Sequence, residues 1–404
     1  MSAYNEILEK AKRFSCEATE DYRHLHKNPE VGIHLPETVK YIKSRLLEIG
    51  YDVRSCAEGL IADVGRGEPC VLLRADMDAL SISEETALEY ASENGRMHAC
   101  GHDMHSAILL LAARLLFELK DSLQGRVRLC FQPGEEILSG AKGMIEAGLL
   151  ESPDVSCAVM LHVLTATGFE TGTLVVPPAG IGASGADFFK ICVKGKGCHG
   201  SEPHRGIDPV VPLCEITQSL YSLCARELPS GCGDVLSVGQ ISGGENANAV
   251  PETVQCMGTL RSYDDERRSY IKERMYELSK SIACAYRCTV SVDIFSGCPS
   301  FLNDEALVRA ARDMIKDSGA PYFFVPEGTR GGGSEDFAYV SREVPSLMLA
   351  LGAGKREEGF EYPLHSPQAV FDERAIPYGA AAMSAMALSV FEGKSKPARE
   401  QDKI

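Results

Sequence analysis

Residues 126–136, RVRLCFQPGEE, decide the fold of this 404-residue chain. The run VRLCF, closed by a Pro-Gly turn, reads as a short strand buried on both faces. Two carboxylates, Glu135 and Glu136, follow at once. Working outward, VLLRA (71–75) and CAVML (157–161) have the same character. Helical stretches are expected near Glu37–Ile49 and over Ser106–Leu119, with strands at Cys70–Arg74, Arg126–Phe131 and Cys157–Leu161. Such alternation predicts an α/β domain with a largely parallel sheet covered by helices.

Near Gly182–Gly185 the pattern changes. The next stretch reads strand (187–195), helix (208–228), strand (234–244), strand (253–263), helix (265–286) and strand (288–295). The order β-α-β-β-α-β is that of a ferredoxin-like unit. The larger alternation then resumes, with a helix near Glu305–Asp317 and a strand at Ser346–Leu351. The expected division is a catalytic domain over 1–183 and 296–392, an inserted unit over 184–295, and a flexible polar tail over 393–404. Gly182, Gly185 and Phe295 are the expected hinges. No internal repeat is evident.

Hydrophobic residues form 44% of the chain and charged residues 24%, a balance that excludes disordered and fibrous classes. The net charge of -16 argues against nucleic acid and anionic membranes as partners. Fifteen cysteines, odd in number and scattered, read as free thiols rather than a disulfide scaffold. MSAYNEILEKAKRF at the N-terminus reads as an amphipathic helix and not as a signal peptide, so a cytoplasmic location is expected. The apolar stretch Ala107–Leu111, interrupted at Arg114, falls short of the roughly 20 residues that a membrane span needs.

The densest chemical signal is His98-Ala-Cys100-Gly-His102-Asp103-Met-His105. Glu135, Glu136, His162 and His365 all follow expected strands, and in open α/β sheets such positions converge on a crevice at the strands' carboxyl ends. Thiolate, imidazole and carboxylate donors together suit Zn²⁺ or a similar first-row ion. Five candidate ligands, Cys100, His102, one of the two glutamates, His162 and His365, exceed the three that one catalytic ion uses. Two ions roughly 3.5–4 Å apart are therefore expected. One glutamate then binds metal while its neighbour takes a proton from water. Taken singly, His98 and His105 read as structural, Cys100 as a buried apolar group, and Glu335 and Asp336 as a helix-start pattern. A Cys100–His102 nucleophile pair and a non-catalytic zinc-binding protein are the rival readings.

The stretches HLHKNPEVG, LLRADMDAL, HACGHDMH, FQPGEE, GKGCHGSEPHRGIDPV, NAVPETVQCMGTLRS, GGGSEDF and LHSP, spread from His24 past His365, resemble the amidohydrolase branch of the aminoacylase and carboxypeptidase metallohydrolases. That branch includes hippurate and auxin-conjugate hydrolases. The resemblance implies cleavage of N-acyl amino acids by a homodimer holding two divalent ions, Zn or Mn, with Co or Ni as substitutes. A dipeptidase or carboxypeptidase on the same fold is the nearest alternative. It implies Cys100, His102, Glu136, His162 and His365 as ligands and Glu135 as general base. His199 would stabilise the oxyanion, and Asn248 and Arg261 would meet the substrate carboxylate. Where the wider family has His-x-Asp, this chain has Arg74-Ala-Asp76, so Asp76 is expected to orient other groups rather than to bind metal.

Overall fold

The structure is a computed structural model that describes residues 3–316 and 318–393. The tail expected over 393–404 lies, apart from Gly393, outside the described residues. The chain divides into two units: Met1–Gly182 with Leu302–Thr329 and Tyr339–Ile404, and Ala183–Phe301 with Arg330–Ala338.

The large unit is built on an eight-stranded sheet. Its centre is Cys70–Asp76, buried at every position and parallel to both Arg126–Gln132 and Val155–Leu164. Ser346–Gly352 continues the parallel ladder beside Val155–Leu164. Consecutive apolar residues form strands here because helices cover both faces and no position has to face water. Towards the edges the pairing turns antiparallel: Gly59–Gly65 lies against Arg126–Gln132, and Leu174–Val176 against Ser346–Gly352. The sheet is thus mostly parallel with antiparallel flanks.

Helices His102–Glu118 and Ile376–Phe391 are buried along nearly their whole length, which explains why their sequences are apolar all round. The N-terminal helix Ala3–Arg13 instead buries one stripe, Tyr4, Ile7, Leu8 and Ala11, at the i, i+3, i+4, i+7 spacing of an amphipathic helix. Leu109 and Leu116 sit in the same core at 0% exposure, where truncation to alanine costs about 2–5 kcal/mol.

The first helix of the cage region begins four residues before the expected Ser106. Gly101 turns the chain with φ 87°, and a Cβ there would lie 2.5 Å from Val163 Cγ2, so only glycine fits. His105 N–H then donates to the Gly101 carbonyl at 3.0 Å, which places HDMH in a helical turn instead of a loop.

In the small unit the strands run Val235–Gly243, Thr253–Ser262, Gly185–Lys194 and Thr289–Cys298 in spatial order, all antiparallel. Helices Val210–Arg226 and Asp265–Ala285 supply Leu213, Ile216, Leu220, Ile271 and Met275 to its own core. Chain order is β-α-β-β-α-β. Gly185 and Phe295, expected as hinges, lie inside strands. Phe295 is the extra residue of a bulge, since Ile294 pairs with Phe189 and Ser296 with Phe188. The last strand therefore runs three residues past the boundary drawn at Phe295, and GGGSEDF clusters with this unit rather than with the large one.

Candidate metal centre

Four chain segments of the large unit bring polar groups to the carboxyl ends of its strands. Glu135 and Glu136 follow Arg126–Gln132 through Pro133 and Gly134, the latter at φ 69°. Cys100 and His102 flank Gly101 at the start of the long helix. His162 lies within Val155–Leu164, two residues before its end. His365 sits in a loop at φ 65°, an uncommon conformation for a non-glycine residue, and its N–H donates to the Ala99 carbonyl at 2.9 Å.

These side chains meet. Cys100 Sγ is 3.3 Å from His365 Nε2 and 3.5 Å from His162 Nε2. Glu136 Oε1 is 3.6 Å from His365 Nε2 and 3.9 Å from His102 Nε2. Glu135 Oε2 is 4.0 Å from His102 Nε2. Ligand atoms sharing one tetrahedral Zn²⁺ lie roughly 3.5 Å apart, given bond lengths of about 2.0–2.3 Å, so the spacings fit cation ligands. His102 Nε2 and Glu136 Oε1 are buried without a hydrogen-bond partner, as donors to a cation would be. Nδ1–H of His102 donates to the Asp78 carbonyl at 2.9 Å and that of His162 to the Val163 carbonyl at 2.7 Å, so both rings turn Nε2 inward.

Behind the cage, polar atoms are satisfied. Asp76 accepts from Arg74 Nη1 at 2.7 Å on one oxygen and from His105 Nδ1 at 2.6 Å on the other. Val163 N–H donates to His105 Nε2 at 2.9 Å, so both ring nitrogens of His105 are engaged and the ring is neutral. Burial pushes the His105 pKa down to about 4, in agreement. His26, from the HLHKNPEVG stretch, is buried between Asp103 Oδ2 at 2.7 Å and Glu84 Oε1 at 3.2 Å. Burial works against its charge, but the two carboxylates outweigh it and push its pKa up to about 9.

Within the cage, burial pushes the Cys100 thiol up and raises Glu136 to about 7. Burial disfavours a charged His102 too, yet the charges of Asp76 and Cys100 hold it well above the ordinary range. Without a cation, this cluster retains protons that metal binding would displace.

Asp78 escaped the sequence reading. It is 1% exposed, and its two oxygens accept the N–H groups of Glu135 at 3.0 Å and Glu136 at 3.1 Å. Its one sequence signal is the second aspartate of ADMD.

The small unit carries the other expected residues. His199 is exposed on a two-residue strand paired with Ala249–Val250. Its Nδ1 lies 2.8 Å from Ser201 Oγ and 3.2 Å from Ser201 N, which leaves Nε2 as the nitrogen turned away from this turn. The Asn248 carbonyl accepts from Gly200 N–H at 2.8 Å. Arg261 Nη1 donates to Ser334 Oγ, and its guanidinium lies 5.9 Å from the Phe188 ring centroid. Glu335 accepts the Phe337 N–H at 3.0 Å, ahead of the helix Ala338–Glu343 and not at its N-cap position.

An α/β sheet with soft and hard donors gathered at its strand ends, and a ferredoxin-like insert, defines a metallohydrolase. Residues 72–389 match the profile of peptidase family M20/M25/M40, and the chain belongs to that family. It is 37% identical over 364 residues to the N-acetyl-L-cysteine deacetylase of Bacillus subtilis, covering 88% of this chain and 83% of the relative. Identity to the IAA-amino acid hydrolase ILR1-like 2 of Arabidopsis thaliana is 36%, over 92% of this chain and 85% of that one. Among solved structures, a dinuclear metal binding peptidase of the M20 family from Bacillus subtilis superposes with a TM-score of 0.77 at 30% identity, over 94% of this chain and 99% of the other. The protein is a metal-dependent hydrolase of the amidohydrolase branch.

Proposed function

We propose that this enzyme hydrolyses the amide bond of N-acylated amino acids, releasing a carboxylic acid and a free amino acid. The observation that carries the reading is the convergence of Cys100, His102, Glu136, His162 and His365 with His102 Nε2 and Glu136 Oε1 unpaired, beside a second carboxylate, Glu135. Two relatives named for acting on an acylated cysteine and on IAA-amino acid conjugates support the substrate class.

Divalent ions held by those five residues, Zn²⁺ or Mn²⁺ with Co²⁺ or Ni²⁺ as substitutes, would supply Lewis acidity toward water and the amide carbonyl. Glu135 takes the proton of the attacking water and delivers it to the leaving amine. Asp76 orients His105 and through it the main chain at Val163, next to His162. The roles of His199 as donor to the developing oxyanion and of Asn248 and Arg261 toward the substrate carboxylate rest on the sequence resemblance. So does a homodimer, whereas a cytoplasmic location rests on the reading of the N-terminal stretch. Among the described residues no helix is long and apolar enough to cross a membrane.

A metal-free cysteine nucleophile is disfavoured, because burial raises the Cys100 thiol pKa when activation requires the opposite. The deciding experiment assays N-acetyl amino acids, hippurate, indole-3-acetyl conjugates and dipeptides, before and after chelation and on adding back Zn²⁺, Mn²⁺ or Co²⁺. Turnover of acyl amino acids that requires metal is expected. Full activity after chelation, or turnover of dipeptides alone, would overturn the reading.

A further inference from the structure

We propose that the stacked rings of Phe188 and Phe295 take the side chain of the substrate's amino acid, so that the enzyme selects acyl amino acids with apolar side chains. This rests on the reading above that Arg261 holds the substrate carboxylate. Side chains alternate across a strand, and Phe189, Leu236 and Leu260 lie in the core of the small unit with its two helices. Phe188, Val235 and Arg261 therefore share the other face, with Val235 directly across the ladder from Arg261. In strand order a row crosses that face from Val235 through Arg261 and Phe188 to Phe295.

Arg261 stands in this row without an acid. Its guanidinium lies 5.9 Å from the Phe188 ring centroid and donates to Ser334 Oγ, and among the described residues no carboxylate pairs with it. Lys190, the next cation along the face, stands across the ladder from Asp293. In a chain of net charge -16, an arginine left without an acid suits a carboxylate that arrives from outside. Phe295 owes its place to the bulge. As the extra residue between Ile294 and Ser296 it leaves the alternation of its strand, and its ring stacks on Phe188 at 6.2 Å between centroids and 27° between planes. Phe295 is 57% exposed and Val235 50%, so the arginine has apolar surface open to water on both sides along the row. An amino acid gripped by its carboxylate carries its side chain one carbon away, within reach of these rings. A leucine, methionine or phenylalanine side chain would cover them and leave water, whereas an aspartate would lose hydration there and gain no partner.

The test uses the full-length, metal-loaded enzyme as wild type, Phe295→Ala and Arg261→Met. The substrates are N-acetylglycine, N-acetyl-L-leucine, N-acetyl-L-phenylalanine and hippurate, each read as kcat/KM relative to N-acetylglycine. We expect the leucine and phenylalanine ratios to exceed one in wild type and to fall about tenfold in Phe295→Ala, the scale on which one hydrophobic contact sets selectivity, with the hippurate ratio within about twofold. A wild-type ratio below one overturns the proposal. So do side-chain ratios unchanged in Phe295→Ala, including the case in which that variant weakens a dimer on sizing, since the rings would then serve a second copy of the chain. A hippurate ratio that falls as far or further assigns the rings to the acyl group and overturns it as well. Arg261→Met should raise KM at least about tenfold for all four substrates. An unchanged KM there overturns the carboxylate reading and this proposal with it, whereas a raised KM beside unchanged Phe295→Ala ratios overturns this proposal alone. Should Phe295→Ala not fold, Phe295→Thr, which suits a strand, is judged by the same ratios.

Discussion

His102 and His105 stand three residues apart on one helix, their rings 5.4 Å apart at 30°, both buried, yet they meet opposite fates. His105 has both nitrogens engaged, by Asp76 and by Val163 N–H, while His102 donates through Nδ1 and keeps Nε2 bare. A buried polar atom without a partner costs about 1–3 kcal/mol. A fold retains that cost where the missing partner is something the chain itself lacks. Hydrogen-bond satisfaction therefore separates His102 from His105, where residue type and burial do not.

The strongest way to break that separation is to remove each imidazole in turn. His102→Ala should abolish metal-dependent turnover, to below about one thousandth of wild type, and should lower the metal-free Tm less than His105→Ala does, because it strands only the Asp78 carbonyl while deleting an unsatisfied nitrogen. His105→Ala should do the reverse. It strands an Asp76 oxygen and the Val163 N–H in the core, costing about 2–4 kcal/mol of stability, and weakens metal binding only about 10- to 100-fold. Calorimetry on metal-free protein beside kcat on loaded protein reads both effects, and equal Tm losses in the two variants would remove the distinction.

Chelation is the next sharpest probe. It should lower the Tm of wild type, since ions that bind only the native state stabilise by mass action, and should leave the Tm of His102→Ala where it was. A His102→Ala protein that chelation still destabilises would retain a metal site without that imidazole.

The same contrast explains what could be read from the chain alone. The gathering of Cys100, His102, the two glutamates, His162 and His365 was legible because metal donors are few in kind and because strand ends converge in an open sheet. The strands VLLRA, VRLCF and CAVML were legible because burial on both faces leaves an unbroken apolar run. Asp78 was not, because its work is to accept N–H groups 57 and 58 residues away, and such pairing depends on a close approach that no local spacing encodes. His26 failed for the same reason: an aromatic ring in a polar helix gives no sign of two carboxylates waiting for it. The helix start at His102 depended on how Gly101 packs against Val163, a contact made only after both strands are in place.

A smaller effect tests the holding side of the division through pH. His26 has a folded pKa of about 9 against an unfolded value near 6.5, so its contribution is complete below about pH 6.5 and is lost as pH rises through about 9. Glu84 and Asp103, both held below their ordinary values in spite of burial, contribute in the opposite sense, above their unfolded values, and lose it on acidification. Tm should therefore fall by a few degrees between about pH 6.5 and pH 9, and His26→Gln should flatten that limb. An unchanged slope in the variant would show that His26 is not charged in the native protein.

The smallest expected effect falls on the residue that fits the division least well. His98 is 1% exposed, and neither ring nitrogen has a hydrogen-bond partner in the protein, a mark it shares with His102 and Glu136 beside it and with several buried hydroxyls elsewhere. It differs in company: the candidate donor groups of the large unit gather Asp76, Cys100, His102, His105, Glu135, Glu136, His162 and His365, and His98 is in none of them. Burial pushes its pKa down to about 4, so the ring is neutral and fills space as an apolar group of its size would. His98→Leu, close in volume, should then leave kcat and metal affinity within about twofold and shift stability by no more than about 1 kcal/mol, upward if at all. Loss of metal binding in this variant would move His98 into the cage and show that an unpaired nitrogen, even two residues away from Cys100, is sufficient to mark a ligand. Retention would show that the mark counts only where several donors converge, which is the stricter rule this site follows.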